Sequence, residues 1–354
     1  MKKILVIDDS TLMRRVMSDI IITTKEYIVA YTASNGVDGL AILEENSDIA
    51  AVFCDINMPR MNGLELLQIA KLRNINVPFI VFSSKENIHD TVTALELGAI
   101  EFIKKPERVL GKKNLAFEES VIKALKMASL SNDKINDNKT SLIKSSARTS
   151  ELSIGNDDNN GKERKLVAIV CSTGGPKALQ LVIPKLPKNL AAPVLVVQHM
   201  PEGFTETLAN RLNDISKINV KEATNNETIK NGTVYIAKGG KHLTLEYSQR
   251  KAKIKFDDSP PVVGLKPYGN IMFESLSEMP YDEIICVVLT GMGNDGTKGI
   301  IKLSRSKKLH VIAQDEASST VYGMPRAIYE SGITNCVCDI NDISEEIIKK
   351  VGVL

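Results

Sequence analysis

Residues 165–182 read KLVAIVCSTGGPKALQLV, and this stretch decides how the second half of the chain folds. Lys165 to Cys171 is an apolar run of the length and composition of a strand buried on both faces, as in parallel sheets. It ends at Ser172. Gly174 and Gly175 then permit a tight turn, and Pro176 suits the first turn of a helix. Two further runs of the same kind follow. PVLVVQ (193–198) ends at His199, and EIICVVL (283–289) opens into TGMGNDG, which contains Asp295. Ligands of open α/β sheets bind outside the carboxyl ends of the strands. As neighbouring parallel strands, these runs bring a nucleophile, a base and an orienting acid to one crevice, the arrangement of a hydrolytic site.

The 354 residues suffice for two domains, each with its own core. A net charge of +2 is too small to argue for nucleic acid or an anionic membrane surface. MKKILVI resembles the start of a signal peptide, but Asp8 and Asp9 end the apolar run, and no stretch approaches the roughly 20 residues of a membrane span. Cys54, Cys171, Cys286, Cys336 and Cys338 form no CxxC pair and predict reduced thiols in a cytoplasmic protein.

Apolar strand runs alternate with amphipathic segments over residues 1 to about 110. KILVI, YIVAYT, IAAVFC, PFIVFS and AIEFIK are the strands, and TLMRRVMSDII, GVDGLAILEEN, GLELLQIAKL and NIHDTVTALELG have helical spacing. Phe117 to Leu130 is expected to form a last helix leaving this domain. From Ser131 to Gly161 the chain is rich in Ser, Asn, Asp, Lys and Thr and predicts a flexible linker. The βα alternation resumes at Lys165. The expectation is two doubly wound parallel-sheet α/β domains: residues 1–118, a helix and linker over 119–163, and residues 164–354.

Asp8 and Asp9 follow the first strand, Asp55 the third, Ser83 closes the fourth, and Lys105 follows the fifth. These positions share one sheet edge. Clustered carboxylates repel and call for a hard cation such as Mg²⁺, and an Asp attacking a phosphoryl group would need the metal and the lysine to neutralise its oxygens. VIDDS, CDINMPRMNG, FSS and KKP resemble the response-regulator receiver domain of two-component signalling, a flavodoxin-like fold. The resemblance implies phosphorylation at Asp55. It implies Mg²⁺ held by Asp9, Asp55 and the Asn57 carbonyl, with Asp8 acting through water. Ser83 is then the switch hydroxyl, Lys105 the phosphate-contacting cation, and Phe102 the rotating aromatic.

In the second domain a serine needs a base to take its proton, and His199 is the candidate; Asp295 would fix the imidazole tautomer. The helix start after Ser172 favours an anion nearby, and the Met292 N–H beside Asp295 is a candidate oxyanion donor. Cys171, one residue before Ser172 on the strand, should point inward. CSTGGP, QHMPEGFT, YIAKGGKH, LKPYGNIMFESL, LTGMGNDG and DEASSTVYGMPRA resemble the Rossmann-like effector domain of the chemotaxis methylesterases. With a receiver in front, the whole chain resembles the chemotaxis response regulator protein-glutamate methylesterase (CheB) family. Val170-Cys171 stands where that family commonly has Gly-Ala or Gly-Ser, and a β-branched Val predicts a less sharply turned backbone there.

The resemblance implies hydrolysis of glutamate methyl esters on methyl-accepting chemotaxis receptors, with glutamine deamidation and no cofactor in the catalytic domain. Catalysis would fall to Ser172, His199 and Asp295, and a chemotaxis histidine kinase would be the phosphodonor. The tether permits a receiver that covers the crevice until Asp55 is phosphorylated. The alternatives are a catalytically weak signalling adaptor binding receptors or kinase, a hydrolase of small esters, and a DNA-binding regulator, which the lack of a basic patch disfavours.

Overall fold

The computed structural model describes residues 1–83, 88–106, 115–137 and 163–354. The linker expected over Ser131–Gly161 falls, from residue 138 onward, outside the described residues, as does the side chain of Ser83. None of the described helices is long and apolar enough to cross a membrane.

The first domain pairs β1 (Lys2–Ile7), β2 (Tyr27–Ala33), β3 (Ile49–Asp55), β4 (Phe79–Ser83) and β5 (Glu101–Lys104) in the parallel order β2-β1-β3-β4-β5. Helices α1 (Thr11–Thr23), α2 (Gly36–Glu45), α3 (Gly63–Leu72) and α4 (Ile88–Leu97) fall on the amphipathic segments. Their starts are encoded locally. The Ser10 side chain accepts the Met13 N–H at the head of α1, and Asn62 and Glu65 form a capping box at the head of α3.

Helix α5 (Leu115–Asp137) runs seven residues past the expected end at Leu130, into the stretch read as linker. It does not leave the domain directly. Phe117, Val121, Ala124 and Leu125 join Ile4, Val6, Phe53 and Phe82 in the core on one face of the sheet. Full burial of such side chains contributes about 1.5–3 kcal/mol each, enough to hold this helix against its own sheet.

The second domain is a seven-stranded sheet of β6 (Lys165–Cys171), β7 (Val194–Gln198), β8 (Asn219–Glu222), β9 (Thr233–Ile236), β12 (Glu283–Val288), β13 (Lys308–Gln314) and β14 (Cys336–Cys338). All its pairings are parallel, in the order β14-β13-β12-β6-β7-β9-β8. An antiparallel hairpin of β10 (His242–Ser248) and β11 (Lys251–Asp257) packs beside it. Helices α6 (Gly175–Val182), α7 (Phe204–Asp214), α8 (Gly269–Ser275), α9 (Thr297–Leu303), α10 (Met324–Glu330) and α11 (Ile343–Val351) complete the layers. The three strands read from the sequence are neighbours: β6 lies between β12 and β7, with Val170 opposite Val288 and Val197. Chain progression runs one way from β6 through β7 and the other from β12 through β13. The switch point between β12 and β6 opens a crevice at the strands' carboxyl ends.

The domains pack against each other through α4, which lies on α6 and α7, and one apolar core continues across the junction. Phe102 of β5 stacks on Phe204 of α7, Glu96 ion-pairs with Arg211, and the Thr173 hydroxyl donates to Glu101 Oε2 at 3.3 Å.

Candidate active site and its acidic counterpart

Ser172 leaves β6 with its N–H donated to the Thr290 carbonyl at 3.0 Å, while its own carbonyl accepts from Gly175 N–H at 2.8 Å and Gln198 Nε2 at 3.0 Å. This fixes the turn from both flanking strands. The left-handed residue is Gly174, at φ +77°, two positions after the serine. Val170 lies inside the regular ladder of β6 and is fully buried, so the backbone there is extended, as expected of a β-branched residue, and the turn falls elsewhere. The sharp bend begins after Ser172. Cys171 points inward as expected, and burial pushes its thiol up, which removes it as a competing nucleophile.

His199 follows β7, its N–H bound to the Cys171 carbonyl at 3.2 Å. Its Nε2 lies 2.8 Å from Asp295 Oδ2. A carboxylate only accepts, so the proton of the neutral ring sits on Nε2 and Nδ1 carries the lone pair. Nδ1 is buried and has no hydrogen-bond partner among the described residues. Asp295 is 3% exposed and held from three sides: Gly269 N–H donates to Oδ2 at 2.5 Å, and Asn270 and Gly296 N–H donate to Oδ1, each at 2.8 Å. Such backbone donors fix the orientation of the carboxylate toward His199. Tyr268 lays its ring near-parallel to the imidazole, with centroids 6.4 Å apart.

Ser172, Met292 and Asp295 line one cavity of about 570 Å³. Its opposite wall is α5 of the first domain, through Glu119, Ile122, Lys123, Lys126 and Met127. The N–H groups of Met292 and Thr173 have no backbone acceptor among the described residues, leaving both as donors beside the serine. His242 is fully buried with Nε2 at 3.2 Å from the Pro260 carbonyl, a structural placement, and His310 Nε2 meets Glu346 at 3.0 Å.

At the carboxyl edge of the first sheet, the carboxylates of Asp8, Asp9 and Asp55 bring one oxygen each within 4.8 Å of one another. Lys105 Nζ lies 2.7 Å from Asp55 and 2.9 Å from Asp8. Burial pushes the Asp55 carboxyl up, opposed by the Lys105 ammonium and by the Asn57 N–H it accepts. Burial alone would push Lys105 down; Asp55 and Asp8 outweigh it and hold the ammonium above the ordinary lysine range. This hard, all-oxygen set of exposed Asp9 and buried Asp8 and Asp55 fits a small divalent cation. Phe102 is half-buried at the domain junction, and the backbone of Ser83 ends β4 next to Lys104.

The residues missed in the sequence are those whose role is tertiary. Gly269 and Asn270 lie in LKPYGNIMFESL without a signal that their N–H groups hold Asp295. Lys123 and Lys126 lie in the expected helix Phe117–Leu130, and Glu101 in the expected strand AIEFIK, without a signal that they face the second domain.

A family profile described as CheB methylesterase matches residues 167–347, and one described as response regulator receiver domain matches residues 4–111. The protein-glutamate methylesterase/protein-glutamine glutaminase of Clostridium acetobutylicum is 40% identical over 354 residues, covering 99% of this chain and 97% of that protein. The protein of the same name from Geobacillus kaustophilus is 37% identical over 360 residues, covering 99% of each. The crystal structure of the Thermotoga maritima CheB methylesterase catalytic domain is 42% identical with a TM-score of 0.51, covering 53% of this chain and 99% of that one. The chain belongs to the CheB methylesterase family, with a response-regulator receiver domain ahead of the hydrolase domain.

Proposed function

We propose that this protein hydrolyses glutamate methyl esters on methyl-accepting chemotaxis receptors, releasing methanol, and does so under control of phosphorylation at Asp55. The observation that carries the catalytic half is the His199–Asp295 pair at 2.8 Å, with His199 Nδ1 unpartnered among the described residues at the strand-end crevice where Ser172 stands. His199 Nδ1 takes the Ser172 proton as Oγ attacks the ester carbonyl. The Met292 and Thr173 N–H groups receive the developing oxyanion, a contact of the kind whose removal costs roughly 3–4 kcal/mol. The imidazolium, stabilised by Asp295, then gives its proton to the departing methoxide, and a water activated by the same nitrogen frees the carboxylate. A glutamine side chain would follow the same course with ammonia leaving.

For the regulatory half, Asp9, Asp55, the Asn57 carbonyl and, through water, Asp8 would hold Mg²⁺, which when bound supplies positive charge to the phosphoryl oxygens. Lys105 contacts the same oxygens, and a histidine kinase would be the phosphodonor. A phosphoryl group on Asp55 draws Lys105 out of its bridge to Asp8 and re-biases Ser83 and Phe102. The wall that α5 forms over Ser172 supports a closed, unphosphorylated state from which a receptor helix bundle is excluded.

Receptor methanol release by wild type and Asp55→Asn, each with acetyl phosphate and Mg²⁺, tests this reading. Activation confined to wild type is expected; equal activation of both would contradict gating through Asp55.

A further inference from the structure

The cavity between α5 and the candidate catalytic loop is of small-molecule size. An α-helix with side chains is about 10–12 Å across and reaches a site only along an open face, whereas about 570 Å³ is the volume of an ordinary small-ligand pocket. Ser172 and Met292 are part of its lining, so the proposed nucleophile and oxyanion donor border anything that enters. Its positive charge comes from the receiver: Lys123 and Lys126 line it beside Glu119, and no ion pair engages either ammonium among the described residues, while the Asp295 carboxylate on the hydrolase side is already held by three backbone N–H groups and His199. Leu265 and Tyr268 supply an apolar floor on the hydrolase side.

From this we propose that the unphosphorylated chain is itself an esterase for small anionic methyl esters, with the receiver helix serving as the substrate-recognising wall. The inference rests on the catalytic reading of Ser172, His199 and Asp295 given above. It adds that covering of the crevice excludes substrates by size and does not switch off the chemistry. The step balances without a co-reactant other than water. Ser172 Oγ bonds to the acyl carbon as the bond to methoxide breaks, methanol leaves with the serine proton, and water returns the serine while releasing the acid. A carboxylate elsewhere on the same molecule is drawn toward Lys123 and Lys126. Two exposed ammonium groups, partly offset by Glu119 and by the backbone-bound Asp295, favour an anionic ester over its neutral amide analogue by about two- to threefold. That preference belongs to the closed arrangement alone, because phosphorylation takes α5 away.

The test uses the full-length chain and N-acetylglutamate γ-methyl ester, compared with its neutral α-amide and with methylated receptor. Methanol release is followed with and without acetyl phosphate and Mg²⁺. The small anionic ester is expected to turn over without the phosphodonor at a rate at least equal to the rate with it, and higher by up to about threefold from the lost anionic preference, while receptor ester rises strongly with the phosphodonor. The anionic preference should fall toward unity in Lys123→Ala/Lys126→Ala and also in phosphorylated wild type. Small-ester release that climbs with phosphodonor in step with receptor release would overturn the inference and leave the catalytic reading standing. An anionic preference that survives both the double substitution and phosphorylation would overturn the role of the helix. No turnover of any ester in either state would sink the catalytic reading, and this inference with it.

Discussion

Phe102 of the receiver and Phe204 of the hydrolase domain stack with ring centroids 4.7 Å apart and planes inclined by 23°. Phe102 is the residue whose reorientation the receiver resemblance implies, and Phe204 opens α7, which leads away from His199. The stack therefore joins the regulatory sheet edge to the helix that follows His199. Such a pair contributes about 0.5–1.5 kcal/mol beyond its buried area. Phe204→Ala should raise unphosphorylated receptor methanol release about two- to tenfold and leave the phosphorylated rate unchanged. Equal basal rates in mutant and wild type would remove the stack from the coupling.

Glu101 accepts the Phe102 N–H at 3.1 Å and the Thr173 hydroxyl at 3.3 Å, beside the candidate nucleophile. Burial pushes its carboxyl above the ordinary glutamate range, opposed by that N–H, Lys123, Thr173 and His199. A carboxyl whose pKa is raised in the closed arrangement binds its proton more tightly there than when the domains part. Closing is then favoured most fully below the open-state pKa, and that advantage is lost as pH rises through the closed-state value. Glu101→Gln keeps the neutral form at every pH. The ratio of unphosphorylated to phosphorylated receptor hydrolysis should rise with pH through this range in wild type and stay flat in the variant. Parallel profiles would count against the linkage.

Val170 fits its site because the neighbouring chain has no side chain there. A Cβ on Gly269 would come within 2.6 Å of Val170 Cγ2 and 3.0 Å of Asp295 Oδ2. Gly269→Ala should cost about 1–3 kcal/mol by overpacking and disturb the N–H that holds Asp295. Adding Val170→Ala relieves the first contact, so a double-mutant cycle read by denaturant unfolding should show coupling of at least about 0.5 kcal/mol. Additive losses would place the clash elsewhere.

Asp295→Asn retains the volume and loses the charge that holds the Nε2–H tautomer. By analogy with triads of this logic, kcat for receptor ester should fall about 10⁴-fold with KM little changed. A fall under tenfold would mean that His199 is oriented by something else.

Both folds were legible because apolar runs of strand length alternate with helical spacing, and because parallel strands deliver their final residues to one edge. Asp8, Asp55 and Lys105 converge for that reason, as do Ser172, His199 and Asp295. What stayed hidden was contact between distant segments. Nothing in KPYGN signals that the N–H groups of Gly269 and Asn270 meet Asp295, since backbone donors carry no residue signature. Nor do Lys123 and Lys126, spaced as a polar helix face, reveal that they overlook Ser172. The expected end of α5 at Leu130 missed the helix's continuation, where buried Ser131 bonds the Met127 carbonyl at 3.2 Å and meets the Thr320 carbonyl of the second domain at 3.3 Å, a tertiary contact that composition does not show.

Methanol release from methylated chemoreceptor, comparing wild type with Ser172→Ala, with and without acetyl phosphate and Mg²⁺, is the most direct test of the proposed nucleophile and its control. Loss of a serine nucleophile lowers kcat by about 10⁶-fold. Release is expected to rise with the phosphodonor in wild type and to be undetectable in the variant under both conditions. Substantial release by Ser172→Ala would contradict the assignment of Ser172 as the nucleophile.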